Sequence, residues 1–286
     1  MAVIDGKKMA EEIKAELKAE VLRLNKKLRL AVIKVGEDKV TEKFLEQKKK
    51  FGDAVGIDVR IYDLPADITT NKLREKLAEV VHIKENAGVI VQLPLPTHIN
   101  TQYILDGIIP EKDPDMLSSK SIGLFSSGRG KILPPVVAAI KYIFDKNKVD
   151  VKGKKVVVIG AGRLAGKPVA TWLMNQGAAL TVIDENTEDP TLHTINADII
   201  VSGVGEPGLI KSDIVKDGVI VIDVGTSESN GKLSGDVDQA VAEKASLFTP
   251  VPGGVGPLTV AMLFKNLKVL SMRGRVFGRG WGLSIC

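Results

Sequence analysis

The stretch Val156-Val-Val-Ile-Gly-Ala-Gly-Arg-Leu-Ala-Gly-Lys-Pro168 constrains this chain more than any other. Apolar β-formers run directly into a glycine-rich turn, and a helix is predicted from 167 to 175. Strand, tight turn and helix aim backbone N–H groups and a positive helix end at one point, which is how a chain receives a pyrophosphate. The pattern points to a dinucleotide, and so to redox chemistry. The spacing Gly160-x-Gly162-x-x-x-Gly166 is one residue longer than the usual fingerprint. On this segment alone, a tight turn without a ligand stays open. The next apolar run, Leu180-Thr-Val-Ile183, ends at Asp184, where an acidic residue would hydrogen-bond an adenosine ribose. A turn or cap role accounts for Asp184 equally well.

A chain of 286 residues has room for one large domain or two ordinary ones. No apolar run approaches the roughly 18 residues of a membrane span, and the opening Met1-Ala-Val-Ile-Asp-Gly-Lys7 lacks a signal-peptide pattern. The single cysteine, Cys286, builds no internal disulfide, which fits a reducing cytoplasm. The net charge of +5 is spread along helical segments, and 4% aromatics argue against a stacking platform for nucleic acid. His82, His98 and His193 lack metal-ligand spacing. No membrane, nucleic-acid or metal partner is expected.

Met9, Ile13, Leu17, Val21, Leu24 and Leu28 recur at helical spacing. A strand follows at 30–35, a helix at 39–54, a strand at 57–62, a helix at 69–81 and a strand at 87–91. This alternation implies a parallel sheet with helices on both faces. A polar stretch rich in Ser and Gly, 113–131, reads as irregular, and Pro134-Pro135 opens a helix to about 147. A second series has strands at 155–160, 180–183, 198–202 and 219–224, almost wholly apolar as buried parallel strands are. After a loop at 249–257, a helix is predicted over 258–270. The tail 273–286, with its glycines and arginines, reads as disordered, with a basic contact arm as the alternative.

Three further segments narrow the reading: Gln92-Leu-Pro-Leu-Pro-Thr-His-Ile-Asn100, Ile222-Asp-Val-Gly225 with Gly235-Asp-Val237, and Thr249-Pro-Val-Pro-Gly-Gly-Val-Gly-Pro257. With Val35-Gly36 and Gly160 to Pro168, they resemble the bifunctional methylenetetrahydrofolate dehydrogenase/methenyltetrahydrofolate cyclohydrolase family, in its order, from about residue 4 to 268. The resemblance implies two α/β domains with the active site between them, the second a Rossmann-type doubly wound parallel sheet. It implies a folate-binding domain at 1–132, completed by a helix at 258–271, and an NAD(P)-binding domain at 133–257. It also implies a homodimer. The activity it implies is oxidation of 5,10-methylenetetrahydrofolate with a nicotinamide cofactor, then hydrolysis of the methenyl product to 10-formyltetrahydrofolate, in one-carbon metabolism.

The resemblance also assigns residues. Its central lysine matches Lys48, one helical turn after Phe44. Its glutamine matches Gln92, with Leu93 beside it, and its pterin-binding aspartate matches Asp115. Pro252, Gly253 and Gly254 complete the expected folate contacts. Gly160, Ala161, Gly162, Arg163, Gly166, Asp184, Gly203, Val204, Gly205, Gly225 and Thr226 form the expected cofactor site. A lysine acts as a base only if its pKa falls, as in a desolvated site beside a cationic substrate. Gln92 could orient that amine. Without the match, Lys48-Lys-Lys50 reads as a solvated charge run.

The departures are informative. Phe44 stands where the family usually has tyrosine, keeping the aromatic face and losing the hydroxyl. Asp-Gly-Phe becomes Asp115-Met-Leu117, and Pro-Cys-Thr-Pro becomes Pro134-Pro-Val-Val137. Gly-Arg-Ser becomes Gly160-Ala-Gly162, Cys-His-Ser becomes Ile183-Asp-Glu185, and Gly-Ile-Asn becomes Gly225-Thr-Ser227. The carboxylates of Asp184 and Glu185 would repel a 2′-phosphate, so NAD is favoured over NADP, with Arg163 the counter-argument. Two other readings stay open: a dehydrogenase whose hydrolysis is weakened by Phe44, and a non-catalytic folate- or nucleotide-binding protein on the same scaffold.

Overall fold

The structure is a computed structural model that describes residues 2–272 except Asn25, Asp38, Asn230 and Gly231. The expected disordered tail at 273–286 lies outside the described residues. In chain order the elements are β1 (Ala2–Val3), α1 (Gly6–Leu22), β2 (Leu28–Val35), α2 (Lys39–Val55), β3 (Ile57–Leu64), α3 (Thr70–His82) and β4 (Asn86–Val91). There follow α4 (Thr101–Leu105), α5 (Ser119–Ser126), α6 (Pro135–Lys146), β5 (Lys155–Ile159), α7 (Gly166–Asn175), β6 (Ala179–Ile183), α8 (Thr191–Thr194) and β7 (Ile199–Ser202). The last elements are β8 (Ile220–Asp223), β9 (Ser227–Ser229), β10 (Lys232–Ser234), α9 (Val241–Lys244), β11 (Leu247–Phe248) and α10 (Val255–Ser271).

The chain divides into two compact units. Among the described residues, one holds residues 2–10 and Val136–Thr259, the other Glu11–Pro135 and residues 260–272. In the first, six strands pair in parallel in the order β1-β11-β8-β7-β5-β6. Its central strands are apolar on both faces because helices cover both, and Val157, Ile159, Ile200, Val221 and Phe248 pack into one core. In the second, three parallel strands run β3-β2-β4. Ile33, Leu73, Leu77, Val89 and Ile104 form the core between sheet and helices.

The structure differs from the sequence expectations in four places. The first helix ends at Leu22, and Leu28, read as its last apolar position, opens β2 instead. Residues 2–3, assigned with the folate domain, pair with Leu247 and Phe248 in the six-stranded sheet. That pairing spans most of the chain, so no local pattern announces it. The stretch 113–131, read as irregular, contains α5, capped by Ser118, whose hydroxyl accepts from Ser121 N. The final helix starts at Val255, three residues before the expected 258.

Candidate active site

The reactive side chains of the three-stranded unit begin on α2. Thr41, Leu45, Phe51 and Val55 form its buried face. Phe44 and Lys48 lie half-buried along it, one turn apart, while Lys49 and Lys50 are exposed. The charge run therefore splits, and only its first lysine turns inward. Lys48 Nζ donates to Gln92 Oε1 at 2.8 Å. Gln92 follows β4, where its backbone N–H donates to Ile33 O at 2.8 Å. Its side-chain Nε2 donates to Leu93 O at 2.9 Å, which turns Oε1 toward the lysine.

Asp115 sits on a loop fixed from both sides. The Asp113 carboxylate accepts from Ser118 N at 3.0 Å and Ser118 Oγ at 2.7 Å. On α10, Asn266 Nδ2 donates to Pro114 O at 2.9 Å and Leu133 O at 2.8 Å. Met116, where the resemblance expects glycine, has φ +58° and is buried. A side chain at that angle strains the backbone. Burial pushes the Asp115 carboxyl up to about 6, against the pull of Lys48 and with a further push from Asp113. Burial also lowers Lys48, although Asp115 opposes it. Desolvation drives both members of the pair toward neutrality, which suits a lysine base and leaves Asp115 an acceptor only above about pH 6.

The six-stranded unit builds its site from backbone. β6 lies on one side of β5 and β7 on the other, so the strand order reverses there. Ligands of such sheets bind at the carboxyl ends of the strands beside that reversal. Gly160 ends β5 with φ +93°, and a Cβ on it would stand 3.0 Å from Gly203 O, after β7. A Cβ on Gly166, the first residue of α7, would stand 1.8 Å from Gly160 O. Gly162 differs: a Cβ there meets nothing within 4 Å, which leaves room for a ligand against the turn. Arg163 is exposed beside it.

The other expected cofactor residues gather on the same edge. Gly160 N donates to Ile183 O, so Asp184 follows at the neighbouring strand end. Asp184 is exposed, and its Oδ1 accepts from Asn186 N and Nδ2. It makes a turn and still leaves its other oxygen for a ribose hydroxyl, so the two readings of Asp184 are compatible. Thr226 O lies 3.4 Å from where a Gly205 Cβ would be, which joins the Gly203-Val204-Gly205 and Gly225-Thr226 loops. Pro252, Gly253 and Gly254, the expected folate contacts, follow β11 in this unit. There, a Cβ on Gly6 would stand 1.7 Å from Gly254 O. No cluster of three or more His, Cys, Asp or Glu able to hold a metal occurs among the described residues.

A strand-reversal site made of glycines, in a chain that also carries a desolvated lysine–amide–carboxyl group, defines a two-unit α/β protein with dinucleotide-type geometry. Residues 4–115 match the family described as tetrahydrofolate dehydrogenase/cyclohydrolase, catalytic domain, and residues 134–274 match its NAD(P)-binding domain. The chain is 42% identical over 274 residues to the bifunctional protein FolD of Nautilia profundicola, covering 93% of this chain and 95% of that one. It superposes on the FolD methylenetetrahydrofolate dehydrogenase/cyclohydrolase of Campylobacter jejuni with a TM-score of 0.91 and 38% identity, covering 95% and 98% of the two chains. The Trypanosoma brucei enzyme, solved with NADP and an inhibitor, gives 0.90 and 37%, covering 95% and 97%. The chain belongs to the tetrahydrofolate dehydrogenase/cyclohydrolase family.

The site residues that sequence reasoning missed are the supports. Asp113, Ser118 and Asn266 fix the Asp115 loop, and Asp223 and Asp236 bond the loops after β7 and β8. One signal existed: Asp223 and Asp236 both lie in the segments Ile222-Asp-Val-Gly225 and Gly235-Asp-Val237 that carry the resemblance.

Proposed function

We propose that this chain oxidises 5,10-methylenetetrahydrofolate with a nicotinamide dinucleotide and hydrolyses the methenyl product to 10-formyltetrahydrofolate. The observation that carries the reading is the Lys48–Gln92 hydrogen bond, with Asp115 coupled electrostatically to the same lysine, in a chain of this family. Asp115 accepts from the amino and ring N–H groups of the pterin. In hydrolysis, water attacks the cationic methenyl carbon. A Lys48 with lowered pKa takes one water proton, the remaining hydroxyl proton passes to N5 as the bond from that carbon to N5 breaks, and the formyl group is left on N10. Gln92 holds the amine by accepting one of its N–H groups. Phe44 packs an aromatic face and supplies no proton.

The glycine turn, the open space at Gly162 and the ten-residue helix α7 suit a dinucleotide. Gly160, Gly162, Gly166, Gly203 to Gly205, Asp184 and Gly225-Thr226 would hold it. A nicotinamide dinucleotide held there would supply the acceptor for the hydride lost from the methylene carbon. The exposed Asp184 carboxylate supports NAD over NADP, through attraction to a ribose diol and repulsion of a 2′-phosphate. The family resemblance supports a cytoplasmic homodimer, which light scattering on the purified protein tests for assembly. The deciding assay follows methenyl product over time, with NAD and NADP in parallel. Product that forms, and then decays faster than an enzyme-free blank, is the expected result, with the higher specificity constant for NAD. No oxidation with either cofactor would contradict the activity, and a higher constant for NADP would contradict the preference.

A further inference from the structure

We infer that Asp236 is a positioning residue for the dinucleotide, its buried carboxylate fixing the shape of the 203–206 and 225–226 loops. The inference rests on the reading that those loops receive the dinucleotide.

Asp236 lies between the β9–β10 pair and Val237, fully buried. Its Oδ2 accepts from Ser202 Oγ at 2.7 Å and Val204 N at 2.8 Å. Its Oδ1 accepts from Gly205 N at 2.8 Å and Glu206 N at 2.9 Å. Three successive amides thus converge on one carboxylate, which takes the place of a strand partner just beyond the carboxyl end of β7. That convergence turns the loop outward, leaving the Val204 side chain 46% exposed and Gly205 at φ +86°.

Asp223, at the end of β8, is built in reciprocally. Its Oδ1 accepts from Gly225 N at 2.9 Å and its Oδ2 from Val237 N at 3.0 Å. A Cβ on Gly225 would stand 2.1 Å from Asp236 Oδ1, and one on Gly235 would stand 2.1 Å from Asp223 Oδ2. Each carboxylate therefore lies against the glycine that adjoins the other. The geometry accounts for both glycines without reference to a turn. Two adjacent buried carboxyls are a poor way to gain stability alone: burial and the neighbouring Asp236 push Asp223 up to about 6. What the arrangement supplies is a fixed loop shape at the strand reversal, where the ligand's phosphates and nicotinamide need preformed backbone.

The test is Asp236→Asn. An asparagine presents one oxygen and one NH2, so at least two of the four donors lose their acceptor. The expected result, by calorimetry on the full chain, is a dinucleotide Kd raised at least about tenfold. The folate KM should stay within about twofold, with near-UV circular dichroism unchanged. A well-folded variant with wild-type dinucleotide affinity would overturn the inference, whereas a wild-type protein that binds neither NAD nor NADP would instead overturn the dinucleotide reading. Should the variant not fold, amide exchange on the ligand-free wild type decides. Protection of the Val204, Gly205 and Glu206 amides by about a hundredfold or more supports the carboxylate anchor, and free-chain exchange rates there contradict it.

Discussion

Asp115 and Asp236 are carboxylates in the two units, and they are used in opposite ways. Asp236 is fully buried and takes four hydrogen bonds from its own chain. Asp115 is half-buried, and no donor among the described residues reaches its carboxyl. Its loop is instead held through neighbours, by Asp113 and Asn266. A saturated carboxylate is a strut; one left open is a ligand's acceptor. The same contrast runs through both units. The three-stranded unit offers polar side chains on α2, after β4 and on the Asp115 loop, and the six-stranded unit offers backbone shaped by glycines.

The largest effect expected from breaking this contrast is at Lys48. Lys48→Met should cost about 10²- to 10⁴-fold in hydrolysis, read as decay of the methenyl product, with oxidation falling less. Hydrolysis at the wild-type rate would remove Lys48 from the mechanism.

Asp115→Asn comes next, with a folate KM raised about 10- to 100-fold and an unchanged dinucleotide KM. In the wild type, kcat/KM for folate should fall as pH drops through about 6, because the protonated carboxyl no longer accepts. The variant should lack that limb. Stability runs the other way. The folded pKa of Asp115 lies above its ordinary value, so the folded state holds the proton longer. Its contribution is fully present below about pH 4 and is lost as pH rises through about 6. Asp223 behaves alike. Denaturant midpoints measured across that window should decline, and less so in Asp115→Asn.

Phe44→Tyr should raise hydrolysis roughly 3- to 10-fold, the worth of one regained hydrogen bond, with little change in oxidation. No gain would mean that proton handling bypasses that position. The smallest effect is an inversion at Met116. Removing its buried side chain should destabilise the fold by about 2–4 kcal/mol. At φ +58°, however, glycine should be about 1 kcal/mol better than alanine, opposite to the order in a helix. Denaturant unfolding of Met116→Gly and Met116→Ala checks the order, and a more stable alanine variant would show that the strain is absent.

Much of this was legible in the sequence, for physical reasons. Strands that pair with near neighbours, such as β2 with β3 and β5 with β6, carry their own apolar runs and turn glycines. The motif residues Lys48, Gln92, Asp115, Gly160 and Gly166 were readable from a resemblance that spans the chain. The two-residue β1 was not, because its partner lies some 245 residues away by the Ala2–Leu247 register. α5 hid because Ser and Gly weaken helix propensity, while the Ser118 cap that starts it is a single residue. Leu28 kept the helical period after α1 had ended. The roles of Asn266 and Asp236 were not readable because they act through long-range bonds, to Pro114 O and to the 202–206 segment, which leave no periodic trace.

The most direct test of the division between units is a crossed binding measurement. Asp115→Asn and Gly162→Val are compared with wild type for affinity to the dinucleotide and to the 10-formyl product. A Cβ at 162 meets open space, with nothing within 4 Å beyond its own chain neighbours, so a valine there should obstruct only a ligand against the turn. The account predicts that Gly162→Val weakens the dinucleotide at least about tenfold and spares the folate, while Asp115→Asn does the reverse. Equal losses of both ligands in both variants would contradict it.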